Sequence, residues 1–320
     1  MSLEIRRLEP FGAEILGLDL ERPFDEPTAD RIRRAWIESG IVLVRGGVRS
    51  EQAHLRLSRC FGELEPSATK DLNVGDQGYL LSLRYDAGAE PQERLNVFEV
   101  GGERRTGWLG WHWDQTFMPE IVRGAVLRAV DPARSGGETG FIDGIAAYER
   151  LPESLRRRID GLEVVYWFTG AQEMNPFGYP KDLRLVARSQ AMSQNIARQR
   201  EGFPPCVHPL VITQRETGRK VLKLSPMHCQ YILGMPREES DALLHELAAW
   251  IVDERFAYVH RWEKNDAIAW DNWRVVHKAF GVAPEVSRNM QRTTIVGDYK
   301  VGRYLDPSLD RARFTARIVD

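Results

Sequence analysis

The chain has 320 residues, enough for one large domain or two ordinary ones with a substantial buried core. Hydrophobic residues make up 42% and charged residues 28%, an ordinary globular profile that excludes a disordered chain. With 44 basic against 46 acidic residues, net charge gives no reason to expect nucleic acid or an anionic membrane as a partner.

The 3 cysteines, Cys60, Cys206 and Cys229, are odd in number and widely spaced. They form neither a disulfide framework nor a CxxC metal knuckle, and suit a reducing compartment. The N-terminus MSLEIRRLEPFGAEI shows no apolar core followed by a small-residue cleavage site. No apolar run approaches the roughly 20 residues that span a bilayer. The expectation is a soluble cytoplasmic protein.

In chain order, residues 3–20 read as short strands broken at Phe11-Gly12. ADRIRRAWIESG (29–40) places Ile32, Ala35 and Trp36 at helical spacing before a glycine stop. IVLVRG (41–46) is a continuous apolar run and reads as a buried strand, and EQAHLRLSRCFG (51–62) reads as a second helix. From 65 to 107, and again from about 171 to 205, periodicity is lost, which predicts irregular lid or loop regions. Around these lie the strand-like runs GAVLRAV, LEVVYWF, FAYVHRW, DAIAWD and RTTIVGDY, and PLVITQRETGRKVLKLS reads as a hairpin. One clear helix interrupts, over 238–254, with Leu244, Leu247, Ala248 and Ile251 on one face. Many short strands with few helices predict one mainly β domain over 1–320, a barrel or sandwich flanked by helices. There is no GxGxxG, P-loop or GxSxG anywhere.

The stretch WLGWHWDQTF (108–117) sets His112 and Asp114 into an aromatic run. A titratable group among apolar ones is costly unless paired or bound. In extended backbone, residues two apart face the same side about 7 Å apart, so the two can converge on one point. A metal site needs a third ligand. Of the remaining histidines, His277 in WDNWRVVHKAF follows a strand-like run and precedes a glycine-proline turn, where loops at a barrel mouth carry function. His245 lies in a helix, His260 among strand residues, and His228 reads as a satisfied structural histidine. One His, a carboxylate two residues on and a distant second His make the facial triad of non-haem Fe(II) oxygenases. Three coordination positions then stay open, and if a 2-oxo acid bound there its far carboxylate would need a cation. Arg288 and Arg292 follow His277 in VSRNMQRTTIV, and Thr139 in SGGETGF offers a hydroxyl.

WHWDQTF, GGETGFIDGIAAYERLP and WDNWRVVHKAF followed by Arg288 resemble the taurine dioxygenase/chlorophenoxyacetate dioxygenase (TauD/TfdA) family. The likeness extends to LEPFGAEILGLDL and to the hairpin, and so covers most of the chain. It implies a double-stranded β-helix, or jelly roll, with flanking helices. It implies Fe(II) on His112, Asp114 and His277, and 2-oxoglutarate with its distal carboxylate on Arg288 and Thr139. Arg292 aligns with an arginine that serves either the oxo acid or a substrate anion. Oxygen would be consumed and succinate and CO2 released as a C–H bond is hydroxylated. Asp114 argues against the halogenating variants, which lack the carboxylate. Family members are often dimers or tetramers, so a homo-oligomer is expected.

Taurine is not the expected substrate. Trp108 stands where the taurine enzyme has an amine-binding asparagine, and EPSATKDLN lacks that enzyme's substrate histidine. The aromatic density, with Trp108, Trp113 and Phe168 as the named candidates and Arg292 for an anion, predicts a small anionic substrate with a hydrophobic or aromatic body. Taken one by one, these aromatics read as core packing, and Trp270 and Asn272 as braces of the distal strand. A metal-dependent hydrolase and a non-catalytic ligand-binding protein on the same barrel are the alternatives.

Overall fold

The computed structural model describes residues 3–66, 73–74, 78–87, 96–298 and 300–309. Two sheets face each other. The larger runs, in spatial order, through Glu4–Arg7, Ala13–Leu16, Ile41–Val44, Ala267–Asp271, Gly124–Asp131, Arg288–Ile295, Leu80–Tyr85 and Asn73–Val74, and Leu64–Glu65 also pairs with Arg288–Ile295. Among the described residues, only the pairing of Ala13–Leu16 with Ile41–Val44 is parallel. The smaller sheet orders Tyr258–His260, Thr139–Asp143, Val275–Ala279 and Leu109–His112, all antiparallel.

Strand periodicity decides which side chains fill the space between. Ile41, Leu43, Ile268 and Trp270 point inward against Phe141 and Val275 of the smaller sheet. Their neighbours Val42, Val44, Ala267 and Ala269 point outward. There they meet helices α1 (Glu26–Ser39) and α2 (Glu51–Arg59), whose Ile32, Trp36, Ala53 and Leu57 share that outer core. IVLV is therefore an unbroken apolar run because both its faces are covered. Outside the smaller sheet lie α3 (Gly144–Arg150), α4 (Glu153–Ile159) and α6 (Arg237–Ile251), with a further sheet ordered Cys229–Ile232, Glu163–Tyr166, Cys206–Pro209, Arg303–Tyr304. The architecture is the expected jelly-roll core with flanking helices. No described helix is long and apolar enough to cross a membrane.

Several boundaries differ from the sequence expectation. Helix α1 begins three residues early because Asp25 caps it, accepting from the Thr28 N–H at 3.0 Å, with Pro27 in the first turn. It stops on Gly40, at φ +79°, as expected. Helices α3 and α4 escape notice because seven residues each span only two turns of periodicity.

Neither predicted irregular region is without regular structure. The first contains Leu80–Tyr85, Val97–Val100 and Glu103–Thr106, although much of 67–77 and 88–95, including most of EPSATKDLN, lies outside the described residues. The second contains Arg184–Ala187 and α5 (Gln190–Gly202), a helix capped by Ser189. None of the described side chains of α5 is fully buried, so it lacks the apolar stripe by which core-facing helices are recognised.

One buried ion pair rivets the smaller sheet to α1. Arg274 meets Asp143 at 2.8 and 2.7 Å and donates to the carbonyls of Ile37 and Glu38. Both side chains are almost wholly buried. We expect Asp143→Ala, which leaves the guanidinium uncompensated, to lower the unfolding free energy in urea titration by about 3–5 kcal/mol. A loss below about 1 kcal/mol would show the pair to be dispensable.

Candidate active site

The strand Leu109–His112 pairs with Val275–Ala279 so that His112 and His277 stand directly opposite each other. Facing residues of an antiparallel pair put their side chains on the same side of the sheet, and the two imidazole centroids lie 4.1 Å apart. His277 therefore sits within a strand, not on the loop its sequence context suggested, since VVHKA is held between two partners.

Asp114 arrives differently from the extended-backbone expectation. The strand ends at His112 and the chain turns, with Gln115 at φ +59°. Asn272 fixes that turn: its Oδ1 accepts from the Asp114 N–H at 2.8 Å, and its Nδ2 donates to the carbonyls of Asp114 and Val122, both at 3.1 Å. As a result Asp114 Oδ1 lies 3.7 Å from both His112 Nε2 and His277 Nε2. One ligand atom from each residue falls within 4.8 Å of the others, and the three side chains are buried or nearly so.

The protonation states suit a cation. His112 Nδ1–H donates to the Gly110 carbonyl at 2.8 Å, which leaves Nε2 with its lone pair. Burial, with His112 beside it, pushes His277 well below its ordinary value, so it is neutral. Burial opposes ionisation of Asp114, but the Arg292 guanidinium beside it outweighs that and holds the carboxyl far below the usual carboxylate range. Two imidazoles and a carboxylate are the donor set of a facial triad. His277 Nδ1 is buried with no hydrogen-bond partner among the described residues. Because Asn272 sets where Asp114 points, Asn272→Ala is expected to weaken Fe(II) binding about 10–100-fold by metal titration while the fold persists. Unchanged affinity would reduce Asn272 to a brace.

Arg292 donates to Asp114 Oδ2 at 2.6 Å, so its partner in this structure is the triad carboxylate. Its Nε is buried and without a partner among the described residues, a donor left for an incoming anion. Arg288 stands four residues earlier on the same strand. It has no counter-ion among the described residues, and burial lowers the pKa of its guanidinium. A cation withdrawn from water with nothing to neutralise it calls for an anionic ligand. Thr139 begins the strand opposite Ala279. Its Oγ1 accepts from Trp262 Nε1 at 3.0 Å, which leaves the hydroxyl hydrogen free to donate. The sequence gave no sign of Trp262. These residues fit Fe(II) and a 2-oxo diacid.

A cavity of about 330 Å³ opens from the triad, bordered by His112 and Asp114. Phe168 borders it, its ring against Phe117 at 5.0 Å and His228 at 5.2 Å. Trp108 also borders it, edge-on to Tyr179. Gly110 must be glycine, because a Cβ there would meet the Tyr179 ring at 2.6 Å. Trp113 touches the cavity but has no exposure; its indole N–H donates to the Leu224 carbonyl and its ring faces Lys223 Nζ at 4.3 Å, so it is chiefly core. His228 is both cavity wall and structural: its Nδ1 accepts from the Thr169 N–H at 2.8 Å, and burial pushes it down to about 3. Met192, Asn195, Ile196 and Gln199 of α5 complete the wall, and no sequence signal marked them.

The family described as "Taurine catabolism dioxygenase TauD, TfdA family" matches residues 4–294. Among curated proteins, the alpha-ketoglutarate-dependent 2,4-dichlorophenoxyacetate dioxygenase of Cupriavidus pinatubonensis is 28% identical over 93% of this chain and 99% of its own. The (S)-phenoxypropionate/alpha-ketoglutarate-dioxygenase of Sphingobium herbicidovorans is 29% identical over 90% and 92%. Among solved structures, a taurine dioxygenase from Burkholderia xenovorans superposes with a TM-score of 0.73 at 25% identity, covering 100% of this chain and 99% of that one.

Proposed function

The chain belongs to the TauD/TfdA family and is an Fe(II)- and 2-oxoglutarate-dependent dioxygenase, and from that premise we propose that it hydroxylates an unactivated C–H bond of a small organic anion with a hydrophobic or aromatic body. The observation that carries the reading is the meeting of His112, Asp114 and His277 at one point, with Arg288, half-buried and without a counter-ion among the described residues, on the strand whose Arg292 meets Asp114.

In this proposal His112, Asp114 and His277 hold Fe(II). Arg288 and the Thr139 hydroxyl bind the distal carboxylate of 2-oxoglutarate. When bound, the metal and oxo acid supply the oxidising power, consuming O2 and releasing succinate and CO2. The chain's part is to bind, orient and exclude water. The Gly110 carbonyl holds the His112 tautomer, Asn272 aims Asp114, and Arg292 keeps its carboxylate ionised. Trp108, Phe117 and Phe168 give the cavity an apolar side, which helps to protect a reactive centre from side reactions.

Two features support an anionic, partly aromatic substrate: Arg292 is the cation beside the triad, and the two curated relatives are named for phenoxy acids. Oxidation beside the ether oxygen of such a compound leads on to C–O cleavage. A hydrolase reading gives Arg288 no role, and no observation favours a non-catalytic one. We further propose a cytoplasmic setting, in keeping with three free, buried cysteines, with no nucleic-acid or membrane partner. A dimer or tetramer is proposed from the family resemblance alone.

The test is anaerobic addition of Fe(II) and 2-oxoglutarate, read by the metal-to-ligand absorption band. Succinate release across aryloxyalkanoates and alkyl sulfates follows. Absence of the band would sink the whole reading. Turnover only with cationic or neutral compounds would sink the anion.

A further inference from the structure

Helix α5 has no core to serve. Its half-buried positions Met192, Asn195, Ile196 and Gln199 recur at i, i+3, i+4 and i+7, a single helical face, and all four border the active-site cavity. The helix is pinned there from both sides. Ile196 packs where a Cβ on Gly170 would sit, Trp167 Nε1 donates to the Arg200 carbonyl at 3.2 Å, and Phe203, just past the helix, meets Phe117 at 4.7 Å.

The chemistry of this wall differs from that of the triad. No Lys, Arg or Glu borders the cavity among the described residues; its ionisable groups are His112, Asp114 and His228. In their place stand carboxamides. Gln199 has no side-chain partner among the described residues. Asn195 Oδ1 accepts from Arg198 Nη2 at 3.1 Å, and its NH2 has no partner among the described residues. Gln172, 5% exposed, has its Oε1 occupied by the Tyr179 hydroxyl, while its Nε2 faces only the Met227 thioether at 3.0 Å. A thioether is a weak acceptor, and a buried amide N–H without a good one is costly.

Resting on the dioxygenase reading, we propose that α5 is the specificity wall, with Asn195 and Gln199, backed by Gln172, donating hydrogen bonds to an uncharged oxygen function of the substrate, a carbonyl, ether or hydroxyl. The substrate's anion belongs at the triad end, where Arg292 stands behind Asp114 and outside the cavity lining, apart from this neutral polar end. A second charge is rejected at α5, because no counter-ion borders the cavity there and burying it unpaired is costly.

The experiment uses the Fe(II)/2-oxoglutarate holoenzyme and three probes: phenoxyacetate carrying para-acetamido, para-isopropyl or para-carboxylate. Succinate release is the first readout. Quenching of tryptophan fluorescence in the anaerobic complex reports binding without turnover, since Trp108 borders the cavity. The acetamido probe is expected to exceed the isopropyl probe about tenfold in kcat/KM or in affinity, the size of one buried hydrogen bond. The carboxylate probe is expected to be the poorest. Gln199→Leu and Asn195→Leu, both on a helix without core contacts, are expected to erase or invert that preference while the 2-oxoglutarate absorption band is retained. An intact band with no preference for the amide, with no binding of any probe, or with a preference untouched by both variants overturns this inference alone. A missing band in the unsubstituted protein overturns it together with the dioxygenase reading.

Discussion

His112→Ala, Asp114→Ala and His277→Ala are each expected to cut 2-oxoglutarate-dependent succinate release by at least roughly 10³-fold, because the groups act as one unit. The three losses differ in kind. His112 and His277 face each other across one strand pair, so removing either leaves a two-ligand site on an unchanged sheet. Asp114→Ala also strips Arg292 of its partner at 2.6 Å, leaving a cation next to the metal position, so its metal affinity should fall furthest. Bound iron after dialysis and succinate yield separate the cases. A His277→Ala protein that keeps full iron content and turnover would refute the triad.

Arg288→Ala carries the second large effect, on the oxo acid and not on the metal. Its guanidinium is withdrawn from water without a counter-ion among the described residues, so a bound carboxylate would gain a charge-assisted hydrogen bond worth about 1.5–3 kcal/mol. That predicts an increase in the 2-oxoglutarate KM on the order of 10–100-fold with kcat at saturation largely kept. Arg288→Lys should recover part of the loss, as a point charge without the planar fork. An unchanged KM in the alanine variant would mean that the oxo acid is held elsewhere. Iron content should be normal throughout, which separates this failure from that of the triad.

The site was legible in the sequence where chemistry forced unusual residues into unusual surroundings. A histidine and an aspartate amid tryptophans are conspicuous, and the later His277, Arg288 and Arg292 stand in one short segment. The fold class followed from many short apolar runs, and inward and outward alternation in IVLV and AIAW matches two covered faces. What escaped was whatever depended on partners distant in sequence. Helix α5 went unread because its organised face borders a cavity and not a core, so no stripe of large apolar residues marks it. Strands within 65–107 are ordinary in composition, and pairing makes them strands. Leu80–Tyr85 gains its identity beside Arg288–Ile295.

By itself the sequence determined the candidate ligands, a candidate anchoring arginine and a mainly β chain flanked by helices, because side-chain chemistry and hydrophobic period are local properties. Tertiary structure alone decided that His112 meets His277 across a strand pair, that Asn272 turns Asp114 toward both, that Trp262 orients the Thr139 hydroxyl, and that a helix lined with carboxamides walls the cavity. Strand register and long-range hydrogen bonds are set by which surfaces can be buried together, and no window of the chain contains both partners.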